Sequence, residues 1–379
     1  MYVLVGKVAA DAGMFAPISF LLAGALALLT ALSYAELSAR FPQSAGAALY
    51  VHEGLRSQRL AIVTGLLVVL TGVVSAAALA RGFAGYVQVF VTVPEFIPIA
   101  LLVIALGALA AWGILESVGA AVAITLVEIG GLLFILVVAG GHLGELPARW
   151  PELTPPADTM VWHGILSGIA VAFYAFIGFE DMVNVAEETR DPARTLPRAI
   201  LIAIAISGAL YLLVALVAVL TLPVAELAAT KAPLAEIYTR ATGKDPWLIG
   251  IISLLSVTNG ALIQIIMGAR LLYGMSRQRW IPACFGRVHA RTRTPLMATV
   301  SVTALVLVLA LWFPIVALAK TTSMILLCVF VLANLALIRV KLRAPVAAGV
   351  RTLPLWLPVA ALVTSAAFVI WQISAALAG

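Results

Sequence analysis

Ala175-Phe176-Ile177-Gly178-Phe179-Glu180-Asp181 stands near the middle of an apolar run that extends over residues 162–186. A glycine and two adjacent carboxylates interrupt it, and an ionisable group at membrane depth costs roughly 2.5–3.5 kcal/mol on insertion scales. A continuous helix is poorly stabilised at such a place. Unwinding at residues 177–179 frees backbone carbonyls to receive an ammonium group, which is how interrupted helices build sites at the membrane midplane. The other reading of these residues is an ordinary helix whose carboxylates lie near its cytoplasmic end, as Glu187 and Glu188 do.

Outward from this stretch, the chain is apolar almost everywhere. Of 379 residues 63% are hydrophobic and 11% charged, with a mean hydropathy of +1.13, against about 25% charged residues in soluble domains. Runs near the 20-residue length of a spanning helix recur at 16–39, 59–90, 97–114, 118–140, 162–186, 197–222, 246–276, 296–314, 317–340 and 354–376. These are ten full spans of an all-α membrane protein. Residues 2–10 form a shorter apolar run, cut off by Asp11 and Gly13, and read as the second half of a helix. No polar gap is long enough for a soluble domain.

The basic residues set the orientation. Arg40, Arg56 and Arg59, then Arg190, Arg194 and Arg198, then Arg277, Arg279, Arg287, Arg291 and Arg293, and finally Arg339, Lys341, Arg343 and Arg351 fall in four gaps. An even number of spans separates each of these gaps from the next, and the intervening loops carry only Arg149, Lys231, Arg240 and Lys244. By the positive-inside rule the four rich loops are cytoplasmic. The net charge of +6 is therefore a topology signal rather than a nucleic-acid surface, since no basic face interleaved with aromatics exists. Two cysteines make no disulfide framework, and four histidines are scattered without metal-ligand spacing. The reading expects no cofactor, no metal and no covalent catalysis.

Glu128 lies near the centre of residues 118–140. Burial disfavours the charged form of a lone carboxylate, so it can load and release a proton in the working pH range. It is the candidate coupling residue, and the competing reading is a carboxyl paired with a polar neighbour for packing alone. Lys7, Arg81, Arg270 and Lys320 lie close enough to helix ends to snorkel. Ser253, Ser256, Thr258, Asn259 and Gln264 either face a cavity or bond between helices.

Several of these segments resemble the amino acid, polyamine and organocation transporter superfamily. The resemblance rests on Tyr2-Val3-Leu4-Val5-Gly6, on Leu32-Ser33-Tyr34-Ala35-Glu36-Leu37 with Arg40-Phe41-Pro42, and on residues 175–181 followed by Ala186-Glu187-Glu188, Asp191-Pro192 and Leu196-Pro197-Arg198. Ala269-Arg270-Leu271-Leu272-Tyr273-Gly274-Met275 with Pro282 and Thr294-Pro295 extends it over essentially the whole chain. It implies a LeuT-type inverted-repeat helix bundle, here one transporter domain over 1–379. Residues 1–140 would be the first repeat, lacking the first half of helix one, 162–340 the second, and 354–376 an extra C-terminal helix.

The resemblance further implies that the substrate carboxylate rests on helix one, at Tyr2 and Val3, and its amino group on the carbonyls around Phe176, Ile177, Gly178 and Phe179, beside Glu180. Several members carry a lysine in helix five where this chain has Glu128, so a mechanism built on that lysine does not transfer. The implied function is proton-coupled symport or exchange of an amino acid or amine across the inner (plasma) membrane, by a multi-pass protein whose partners are that solute, a coupling proton and the lipid bilayer. The alternatives are a transporter-like sensor or interaction subunit that binds without moving its ligand, and an inactive, N-terminally truncated permease. A membrane enzyme would need a metal or nucleophile constellation, and none is apparent. The glycine-rich break of helix one would precede Tyr2, so Met1 reads as an internal methionine, with about fifteen to twenty-five further residues expected upstream. The chain as written is accordingly expected to bind and transport weakly.

The topology is directly testable. In a background lacking Cys284 and Cys328, a cysteine at position 229 should react with an impermeant reagent added from outside, and one at position 193 should not. The reverse pattern would invert the assignment.

Overall fold

A computed structural model of the chain describes all residues except 44–45, 114–117, 346–349 and 379. The side chains at 118–121, 185, 187, 188 and 378 also lie outside the description, so the placement expected for the Glu187 and Glu188 carboxylates is not addressed. The described residues are helical, without a strand. Helix α1 (Val5–Ala12) ends where Gly13 takes φ +59°, and a 3-10 turn, Gly13–Phe15, leads into α2 (Ala16–Arg40). There follow α3 (Gly46–Leu55), α4 (Gln58–Val87), α5 (Phe96–Trp112), α6 (Val118–Ala139), α7 (Leu146–Leu153) and α8 (Thr159–Tyr174). A 3-10 segment, Phe179–Glu188, precedes α9 (Pro192–Thr221), α10 (Val224–Ala229), α11 (Pro233–Thr242), α12 (Trp247–Arg277), α13 (Leu296–Trp312), α14 (Ile315–Arg343) and α15 (Trp356–Ala378).

Each of the ten apolar runs has its helix. Eight helical stretches are long and apolar enough to cross a membrane. α5 and α13, at 17 residues each, stand at the short end of the spanning range of about 17–25. Leu101, Leu126, Val137, Ile202, Leu305 and Ile370 are exposed, as expected of side chains whose solvent is lipid.

The helices gather into two compact units. The first comprises Met1–Phe20, Gly72–Ala175 and Leu210–Thr322. Within it α1 packs on α8 and α10, α5 on α13, and α12 on α6 and α13. Lipid tails are as apolar as leucine, so helices associate in a bilayer through close packing of small residues and cross-helix hydrogen bonds. Gly164 and Gly168 of α8 supply such a notch. A β-carbon at Gly164 would lie 2.6 Å from the Asp11 carbonyl oxygen, and one at Gly168 would lie 2.7 Å from Ser19 Oγ and 3.0 Å from Ala12 Cβ. Ser19 Oγ donates to the Ile165 carbonyl at 2.9 Å across the same contact.

The basic side chains of this unit correct the snorkelling expectation. Lys7 Nζ donates to the carbonyls of Ala228 and Thr230, each at 3.3 Å, at the C-terminal end of α10. Arg81 donates to the Ala310 and Leu311 carbonyls at 2.7 and 3.0 Å, in the last turn of α13. A helix leaves its last four carbonyls without intrahelical partners and carries partial negative charge there, so a cation from a neighbouring helix satisfies both demands. Lys320 Nζ is instead 2.8 Å from Asp11 Oδ2 and 2.8 Å from Ser167 Oγ, and Ser167 donates to the same carboxylate oxygen at 2.7 Å. This closed triangle ties α1, α8 and α14 together. Arg270 is exposed.

The second unit comprises Leu21–Thr71, Phe176–Ala209 and Ser323–Gly379. Its hub is Glu36, whose side chain is fully buried. One carboxylate oxygen receives Arg40 Nη2 at 2.9 Å and Lys341 Nζ at 2.8 Å, while the other receives Lys341 Nζ and the Leu353 N–H at 2.9 Å each. Arg40 also donates to the Ala344 and Pro345 carbonyls at 2.9 and 3.3 Å. Burying a carboxylate is tolerable when its lone pairs are filled by charged donors in good geometry, as they are here.

Opposite stability changes are expected at two glycines. Gly168→Val should destabilise by about 1–3 kcal/mol through overpacking. At Gly130, in α6, a β-carbon would meet nothing within 4 Å, and Gly130→Ala should stabilise by about 0.5–1 kcal/mol. Thermal unfolding of both variants in detergent checks the pair of signs.

Candidate functional site

The span over residues 162–186 is interrupted after α8. Asp158 caps α8, its Oδ1 accepting the Met160 N–H at 2.7 Å, and the helix ends at Tyr174, where the Ala175 N–H turns back to the Ala172 carbonyl at 2.9 Å. Gly178 then takes φ +126°, a conformation that residues with a β-carbon rarely adopt, and the chain resumes as the 3-10 segment. The interruption begins earlier than residues 177–179, because the turn that delivers Gly178 in this conformation uses the residues before it. The Ala175 and Ile177 carbonyls accept no main-chain hydrogen bond from a described residue.

Within the second unit, the residues after the break separate into packed and open ones. The Phe176 ring lies against two side-chain-free positions, Gly24 of α2 and Gly208 of α9: a β-carbon there would be 3.0 and 3.8 Å from it. Phe179 packs with Tyr34 and Phe330, ring centroids 5.8 and 5.4 Å away. Both rings are buried. Glu180 is buried as well, and its Oε2 accepts the Gly178 N–H at 2.9 Å, so the carboxylate reaches back to hold the turn. Ile177 and Gly178 are only half-buried, and a β-carbon on Gly178 would meet nothing within 4 Å. Main-chain groups at 177–178 are thus the open part of the stretch. Tyr34, within the segment 32–37, packs against Phe179 behind the break. Its hydroxyl is buried without a hydrogen-bond partner among the described residues, and a tyrosine amid small residues was the available signal.

The other candidates belong to the first unit. Tyr2 is buried. Its hydroxyl donates to the Glu128 carbonyl, and its own carbonyl accepts the Tyr86 hydroxyl at 2.6 Å. Val3 fills the space above Gly82, where a β-carbon would be 2.7 Å from it. The Glu128 side chain receives Asn259 Nδ2 of α12 at 3.1 Å, so the carboxylate lies on the side of α6 that faces α12. It is half-buried rather than buried, because the preceding residues Thr125, Leu126 and Val127 turn an exposed face outward. Of the polar residues on α12, Asn259 makes this helix-to-helix bond, Gln264 lies against Gly72, and Ser253 donates to its own helix at Ile249. Among the described residues no group of three His, Cys, Asp or Glu side chains is placed to hold a metal ion.

Comparison with known proteins gives the family. The branched-chain amino acid permease BcaP of Bacillus subtilis is 28% identical over 369 residues, covering 91% of this chain and 77% of its own length. Cationic amino acid transporter 2 (vacuolar) of Arabidopsis thaliana is 30% identical, covering 85% of this chain and 54% of its own. The methylthioribose transporter of Bacillus subtilis is 27% identical, covering 79% and 68%. The chain thus spans little more than half of the plant relative and about three quarters of the branched-chain permease. These relatives are transporters and not enzymes, and the family model for amino acid permeases matches residues 1–378. The chain belongs to the amino acid permease family, within the amino acid, polyamine and organocation superfamily, and so to the multi-pass membrane proteins of LeuT-type fold.

Proposed function

We propose that this protein carries an amino acid or a closely related amine across the inner (plasma) membrane by secondary active transport, as a proton symporter or an exchanger. The observation that carries the reading is the break after Tyr174, with Gly178 at φ +126° and the Ile177 carbonyl without a main-chain partner among the described residues. Backbone is left irregular at membrane depth only where it is buried in protein or lines a cavity. Carbonyl oxygens beside a buried carboxylate make a receptor for an ammonium group, with Glu180 fixing the turn that presents them. Main-chain N–H groups at Tyr2 and Val3, just before α1, stand at the positive end of that helix and suit a carboxylate. The Phe176 and Phe179 rings keep the turn in place from behind, so their part is to position the main chain.

In this reading Glu128 is the proton carrier. The Asn259 amide donates to its carboxylate from α12, and a carboxylate within a span is a group that can carry a proton across it. Alternation of access would then proceed by movement of helix groups about the broken segment, as in discontinuous-helix transporters. The family and the activities of its relatives support the solute class, and the interrupted span supports the place.

Two measurements address this directly. Gly178→Ala should lower amino-acid uptake into liposomes by about fivefold or more while the protein still inserts, since the penalty arises from backbone conformation, about 1 kcal/mol or more, and not from lack of room. Gly178→Leu should abolish substrate binding. Undiminished binding in both variants would remove the site. Glu128→Gln should flatten the pH dependence of uptake, whereas an unchanged profile would make the residue structural.

A further inference from the structure

A cleft of about 410 Å3 opens in the first unit between the C-terminal end of α4, the α10–α11 connection and the start of α12. Its volume falls in the range of about 300–1,000 Å3 typical of small-molecule sites. Its polar groups include Gln88, Thr230, Lys231, Glu236 and Thr239, while Val89, Ala235 and Pro246 give it apolar walls. None of these residues belongs to the broken span.

The charges in this cleft are not equally occupied. Lys231 Nζ is 2.6 Å from Glu95 Oε1 and 3.5 Å from Gln88 Oε1, and Glu95 also receives Arg81 at 3.1 Å. The hydrogen bond from Lys231 holds the Glu95 carboxyl below its ordinary range, with the Lys231 and Arg81 charges acting in the same direction. Two of the three ammonium donors of Lys231 are therefore engaged, and one is left. Glu236 faces the same cleft from α11, half-buried. Its natural partner one turn along the helix is Arg240, but Arg240 is paired with Glu226. Among the described residues, no ion pair or side-chain hydrogen bond engages the Glu236 carboxylate.

We propose that this cleft is a second binding site for an α-amino acid, separate from the broken span, in which Glu236 receives the ammonium group and the remaining donor of Lys231 the carboxylate. A zwitterion is the ligand that a free carboxylate and a partly committed ammonium select together. A simple cation would leave the lysine donor unused, and a simple anion would face Glu236. The apolar wall of Val89, Ala235 and Pro246 accepts the side chain without reading its identity. The 223–245 loop is on the outer side by the basic-residue distribution, so the site would hold solute at the entrance and raise its local concentration. This inference rests on the proposed amino-acid transport, and its test separates the two.

The full chain in lipid nanodiscs is titrated with radiolabelled L-leucine and, separately, L-arginine, and the bound stoichiometry is measured. The expected result is two molecules of the better-bound probe per protein, falling to one in Glu236→Gln, with at least a tenfold loss of affinity for the lost class. Gly178→Leu should remove the other class and leave the Glu236-dependent one. Size-exclusion profiles matching the unsubstituted protein establish that both variants are folded. Two molecules bound in Glu236→Gln, or a single class indifferent to that substitution, would overturn the cleft while leaving the transport reading in place. Absence of saturable binding of either probe in the unsubstituted protein would overturn both.

Discussion

Every unpaired main-chain group at membrane depth needs a partner from within the protein, because the hydrocarbon offers none, and this demand organises the molecule. Helix ends are where it is sharpest. α10 is closed by Lys7, α13 by Arg81 and α9 by Arg149, which donates to the Leu220 carbonyl at 3.0 Å. In each case a cation borne by another helix satisfies carbonyls that the capped helix cannot. The arrangement fixes the relative placement of the helices within the unit as a by-product of satisfying their termini.

Against that background the break after Tyr174 stands out for being left partly open. Nearby interruptions are closed: Gly13 ends α1 and its N–H returns to the Ala9 carbonyl. At this break the Glu180 carboxylate supplies one partner, to Gly178, and the Ile177 carbonyl keeps its capacity to accept. A glycine with a left-handed φ and a carboxylate two residues on form a local device that depends little on distant contacts. The distant contacts, Phe176 between two glycines and Phe179 among aromatic rings, hold it still.

That locality explains which features were legible in the amino-acid sequence. Ten spans can be read because a run of about twenty apolar residues is a one-dimensional signal, and the break can be read because its glycine and carboxylates are neighbours in the chain. What could not be read involves partners far apart. Lys320 and Asp11 are separated by more than three hundred positions, and nothing in either neighbourhood announces the other, so a lysine near a helix end looked like a snorkelling one. The capping role of Arg81 was hidden for the same reason. Glu128 was recognised as a carboxylate within a span, but its half-burial depends on which face of α6 the adjoining helices cover, and the apolar run around it is hydrophobic on every side. Glu236 carries no signal in its own neighbourhood, because its lack of a partner among the described residues results from the pairing of Arg240 with Glu226.

The Glu36 hub carries a consequence for how such a chain is made. Arg40 and Lys341, at the C-terminal ends of α2 and α14, are among the basic residues whose distribution is expected to orient the spans, yet in the finished fold both are sequestered around one carboxylate, with side-chain exposures of 4% and 7%. On that expectation the same two charges would serve twice in the life of the molecule, first as addresses read at the membrane surface during synthesis and later as internal fasteners. Their chemical identity is therefore doubly constrained. An exchange of lysine for arginine keeps the address intact and yet spoils the fastening, because a planar fork and a point charge fill the lone pairs of Glu36 differently.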